Sequence, residues 1–140
     1  MMTYNSIDST TSFLLHNKAV DYVPQIIYDE ENGLLRMEGE SYHEYAVEFF
    51  QPTFEWLANY ITKRPKQKLT LEFKMTYFNT STSRRFLEMF FILENHYRKG
   101  GQVEVRWFYE AGDIDMLDSG MEYAKEVSYP MHMIPYEENL

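Results

Sequence analysis

The chain has 140 residues, enough for one domain with a buried core, and its 44% hydrophobic and 17% aromatic content argues against a disordered polymer. A formal net charge of −9 argues against nucleic acid and against anionic membrane surfaces, both of which call for basic patches. With no cysteine, disulfides, zinc thiolates and thiol nucleophiles are excluded.

Residues 1–12 are polar, lack a basic start followed by an apolar stretch, and read as a flexible tail; residues 13–140 read as a single domain. No apolar run approaches the roughly 20 residues that cross a bilayer, so a cytoplasmic protein is expected. A short strand is expected from Phe13 to Ala19. Gln25–Tyr28 and Leu34–Glu38 then form a hairpin around Asn32-Gly33, which supplies the positive-φ residues of a tight turn, and Gly39 ends its second strand. After Ser41 the period changes. Ala46, Phe49, Phe50, Phe54, Leu57, Tyr60 and Ile61 recur at helical spacing, with Ser41 and Glu44 matching a capping box. Pro52 is expected to kink this helix or split it in two, and Pro65 with its basic neighbours marks its end.

From Lys68 to Phe78 the residues alternate, with Leu69, Leu71, Phe73, Met75 and Tyr77 pointing one way. A second helix runs from Ser83 to Lys99 and is stopped by Gly100-Gly101. Val103, Val105, Trp107 and Tyr109 alternate in another strand. A third helix lies within Asp113–Val127, and His132–Ile134 is a last short strand. Strands joined by a full helix lie parallel, yet these alternate where strands covered on both faces would be continuously apolar. The expected fold is therefore two-layer α/β: a mixed β-sheet with helices packed mainly on one face and water on the other.

The run Asn79, Thr80, Ser81, Thr82, Ser83, Arg84 joins a strand to a helix. Ser, Thr and Asn are preferred N-caps, because their oxygens accept from the unpaired amides of the first turn. The same free amides and partial positive charge accommodate a phosphate, which adds about −1.5 to −2 charges. Spacing alone leaves cap and switch both open. A small hydrolase using a hydroxyl from Thr80 to Ser83 with His43 as base lacks a third group to orient it. His16, His43, His96 and His132 have no metal-binding spacing, and Asp118 stands where a calcium loop needs glycine, so no metal and no cofactor are expected. The nine methionines are spread along the chain and mostly fit core positions.

Gly39-Glu40-Ser41-Tyr42, Phe49-Phe50-Gln51-Pro52 with Trp56-Leu57 and Tyr60, Tyr77-Phe78-Asn79-Thr80-Ser81, and Val103 to Tyr109 occur in an order that resembles the SiaC family of bacterial regulatory phosphoproteins. The resemblance runs from about Val23 to the C-terminus. It implies a STAS-like fold, as in anti-anti-sigma factors, and a protein that is not an enzyme. It also implies phosphorylation of Thr80 by a partner Ser/Thr kinase, reversal by a metal-dependent phosphatase, and binding of an effector such as a diguanylate cyclase when unmodified, setting cyclic-di-GMP output. The chain departs from the family at His43-Glu44-Tyr45, where Pro-Glu-Asn is common, and at Thr82 and Arg84, where Ser and Lys are usual. If the strands ending near Tyr77 and Tyr109 are parallel, Asn79, Thr80 and the first helical turn share a partner surface with Trp107 and Tyr109. The alternative is a structural scaffold in which the Thr80 region only caps.

Overall fold

The computed structural model describes residues 23–42 and 45–138. The strand expected at Phe13–Ala19, together with His16, His43 and Glu44, lies outside them. The elements are β1 (Gln25–Asp29), β2 (Leu34–Ser41), α1 (Ala46–Lys63), β3 (Leu69–Phe78), α2 (Thr80–Arg98), β4 (Val103–Glu110), α3 (Ile114–Ala124) and β5 (Met131–Tyr136). The strands form one sheet in the order β1-β2-β3-β4-β5; β1 runs antiparallel to β2 and the remaining pairs are parallel.

Only Gly33 takes a positive φ (65°) in the hairpin, and Asn32 instead donates its backbone and side-chain N–H to the Asp29 carboxylate at 3.1 and 2.9 Å. Gly33 is also a close approach: a Cβ there would sit 2.3 Å from the Lys68 carbonyl and 2.5 Å from the Tyr60 hydroxyl. Pro52 does not split α1. The helix runs unbroken because Ala46, Phe50, Thr53, Trp56, Leu57 and Tyr60 bury one continuous stripe along it. The missing proline N–H removes one bond to the Glu48 carbonyl, a loss that this burial outweighs. The capping box is also corrected: Ser41 belongs to the end of β2, and α1 starts after Tyr45 with no side-chain cap.

Leu35, Met37, Leu69, Leu71, Phe73, Met75, Val105 and Trp107 turn inward against Phe50, Leu57, Phe86, Phe90 and Tyr123 of the helices. The opposite face of the sheet carries matched charge. Arg36 and Arg106 both reach the Glu72 carboxylate, at 2.6 and 3.1 Å, and Arg106 also bonds Glu104 at 3.0 Å. The expected one-sided, two-layer architecture is what the chain adopts.

Far from the β3–α2 junction, buried Glu94 accepts from the Ser128 backbone N–H and from Arg98, each at 2.7 Å. These bonds, the backbone one foremost, hold its pKa below the ordinary carboxylate value. Its contribution to stability is therefore full at neutral pH and is lost as pH falls through that lowered value. Burial, with a smaller effect from Lys99, likewise holds His96 below the ordinary imidazole value, so acid that protonates it also destabilises the fold. The expected result is a urea midpoint that drops on acidification. Glu94→Gln should lower the neutral-pH midpoint and flatten the acid limb, converging on wild type once the carboxylate is protonated.

Candidate functional site

Near the carboxyl end of β3 the pairing slips. Met75 pairs with Gly39 but Tyr77 pairs with Glu40, leaving Thr76 as an extra residue on β3. Gly39 therefore does not end β2; at φ 115° it precedes the slip, and the strand continues to Ser41. A bulge re-aims the side chains beyond it. Tyr77, expected in the core, is 50% exposed and meets Tyr42 edge-on at 5.6 Å between ring centroids. Phe78 takes the inward place, with its ring 5.2 Å from Phe86 and 5.8 Å from Trp107.

This sets where α2 begins. The Asn79 backbone N–H donates to the Ser41 carbonyl at 3.0 Å, and its side-chain oxygen accepts from the Thr82 N–H at 2.9 Å. Asn79 is thus the N-cap and Thr80 the first helical residue, three positions earlier than the expected start at Ser83. The cap explains the extension, since it satisfies an amide that would otherwise be orphaned. Replacing Asn79 with alanine should cost about 1 kcal/mol in urea unfolding, and serine should restore most of it.

The four hydroxyls have different fates. Thr82 is fully buried, and its Oγ1 lies 2.7 Å from the Ser41 hydroxyl. The Tyr123 hydroxyl donates to the Ser83 carbonyl at 3.1 Å, so in the 2.7 Å contact between the two hydroxyls Ser83 is the donor. Burial pushes the Tyr123 phenol up to about 12. Neither Ser41 nor Tyr123 is a base that could activate these hydroxyls. Ser81 is half-buried. Thr80 is exposed, and its side chain makes no hydrogen bond among the described residues. The first turn of α2 is therefore pinned on one side to β2 and on the other to α3, with Thr80 facing outward.

Two expected surface residues are corrected. Trp107 is wholly buried: its indole N–H donates to the Met116 carbonyl at 2.9 Å, and its ring packs 5.5 Å from both Phe73 and Tyr123. It lies on the inward face of β4, and α3 closes over it. Thr82, expected around the phosphate, is equally sealed. Tyr109 is half-buried against the core, while Arg84 is exposed. What does reach the surface near the start of α2 includes Tyr77, which alternation had hidden, and Tyr42, which packs against it. The Thr76–Phe78 segment also lines an open cleft of about 280 Å³ together with Asp113, the N-cap of α3, and Asp115, Met116 and Ser119 within α3. Among the described residues no helix is long and apolar enough to cross a membrane, and no group of three or more His or acidic side chains could hold a metal ion.

A two-layer α/β domain that presents an exposed hydroxyl at the positive end of a helix, beside the carboxyl edge of its sheet, is the class of protein these residues build. The sequence profile described as "SiaC family regulatory phosphoprotein" matches residues 17–136, and the chain belongs to that family. An uncharacterized protein of Pseudomonas aeruginosa (strain UCBPP-PA14) is 27% identical over 126 residues, covering 89% of this chain and 98% of its own. Crystallised apo-SiaC from Pseudomonas aeruginosa superposes with a TM-score of 0.79 at 25% identity, over 84% of this chain and 94% of that one. A structure of the diguanylate cyclase SiaD in complex with its activator SiaC, from the same organism, gives a TM-score of 0.80 at 24% identity. It covers 84% of this chain and 96% of that one, a likeness of fold.

Proposed function

We propose that this protein is a non-catalytic switch whose partners are selected by phosphorylation of Thr80. The observation that carries the reading is the contrast within one helical turn: Thr80 is exposed while Thr82 and Ser83 are held by Ser41 and Tyr123. A kinase can reach the first hydroxyl without breaking the fold. The resulting phosphate sits on a helix N-terminus whose amides and dipole favour it. Unmodified protein binds and activates an effector, which the SiaD–SiaC complex of Pseudomonas aeruginosa suggests is a diguanylate cyclase. Addition of a dianion to the contact surface displaces that effector. A Ser/Thr kinase and a metal-dependent phosphatase complete the cycle, and cyclic-di-GMP output follows the unmodified fraction.

The test is a binding titration of purified diguanylate cyclase from the same cell against two forms of the protein, one carrying phosphothreonine at position 80 and one unmodified. Binding confined to the unmodified form supports the switch. Equal affinity of the two forms for the cyclase would remove it.

A further inference from the structure

We propose that Arg84 is the intramolecular partner of the phosphate on Thr80, so that modification occupies a guanidinium that the unmodified face leaves free. The inference rests on Thr80 being the acceptor. Thr80 and Arg84 are four residues apart on α2, both are exposed, and side chains at that spacing share a helix face. An anion placed N-terminal to a cation at this spacing is the favourable order, and the anion itself sits at the positive end of the helix dipole. Arg84 makes no ion pair among the described residues. The neighbouring Arg85 is already used: it reaches Glu88 at 3.2 Å, and its side chain is only 17% exposed. Lys66 and Lys99, also without ion pairs among the described residues, follow the C-terminal ends of α1 and α2, at the far end of the helix layer.

The charges at the helix starts point the same way. Both α1 and α3 have an acid in the first turn, Glu48 and Asp115, whereas α2 has none. A phosphate at Thr80 would supply that missing negative charge, and the planar fork of Arg84 can donate two hydrogen bonds to it. Before modification the same fork is free to meet a carboxylate on the effector; afterwards it is engaged within the chain. Phosphorylation then weakens the effector contact twice, by adding negative charge and by withdrawing positive charge.

The experiment places phosphothreonine at position 80 during synthesis and follows the phosphate by ³¹P NMR across pH in wild type, Arg84→Gln and Arg85→Gln. Arg84→Gln should raise the second phosphate pKa by roughly 0.3. That difference should shrink in 1 M salt, where the screening length is about 3 Å. Arg85→Gln should leave the titration unchanged. An Arg84→Gln curve that overlays wild type, or an equal displacement from Arg85→Gln, would overturn the assignment. Because the phosphate is installed directly, this result is separate from whether cells modify Thr80, which phosphopeptide mapping decides.

Discussion

Replacing Trp107 with alanine should destabilise the protein by about 3–5 kcal/mol, read as a lowered urea midpoint with little change in slope. The indole is wholly buried and is ringed by Phe73, Phe78, Phe86 and Tyr123 at centroid distances from 5.5 to 6.4 Å. It also satisfies the Met116 carbonyl, tying β4 to α3. Truncation opens a cavity between two layers that backbone shifts cannot easily close. Gly120 supports the same view, since a Cβ there would come within 2.4 Å of the Trp107 ring; Gly120→Ala should be destabilising too, by about 1–3 kcal/mol. A stable Trp107→Ala protein that merely lost a partner would show the ring to be an interaction surface after all.

The second large effect separates binding from stability. Thr80→Asp places a carboxylate in the first turn of α2, which holds none, and should stabilise the helix by about 0.3–1 kcal/mol. The same change should weaken effector binding about tenfold or more, equivalent to about 1.4 kcal/mol, because it puts a negative charge where the unmodified protein presents an uncharged hydroxyl. Thr80→Ala should bind close to wild type while being deaf to the kinase. Stability rising while affinity falls is a signature that simple unfolding cannot produce. Equal affinity of the three proteins in a titration would leave the Thr80 region as a helix cap only.

Much of the fold was legible because two periods dominate the sequence. Alternation marked β3 and β4, three- and four-residue spacing marked α1 and α2, and the polar alternate positions gave the open face now seen as the Arg36–Glu72–Arg106 row. The errors cluster where a period breaks. One extra residue at Thr76 exchanges the roles of Tyr77 and Phe78, and nothing in a single strand's alternation reveals a bulge that depends on its partner's register. Trp107 was misplaced for a related reason. Periodicity put it on the apolar face of β4, but proximity to the strand end suggested surface, and only the position of α3 decides between them. Pro52 read as a kink or a split because the apolar stripe on either side of it does not say from sequence alone whether its burial outweighs one lost backbone bond; the single helix shows that it does.

The candidate site was half legible. Hydroxyls before a helix announce a cap, and the family phrase around Thr80 singled out one of them. The sequence could not show that Thr82 and Ser83 are tied down, because their partners Ser41 and Tyr123 are 41 and 40 residues away. Tyr42 offered a signal that was available: an aromatic just beyond a strand end, beside a residue whose backbone pairs with the next strand.

Whether Thr80 is the modified hydroxyl is decided most directly by phosphopeptide mapping of the protein isolated from its own cells. A phosphate localised to Thr80, with Thr82 and Ser83 unmodified, is the predicted result. A phosphate found on Thr82 or Ser83, or no phosphate anywhere in the first turn of α2 under any growth condition, would contradict it.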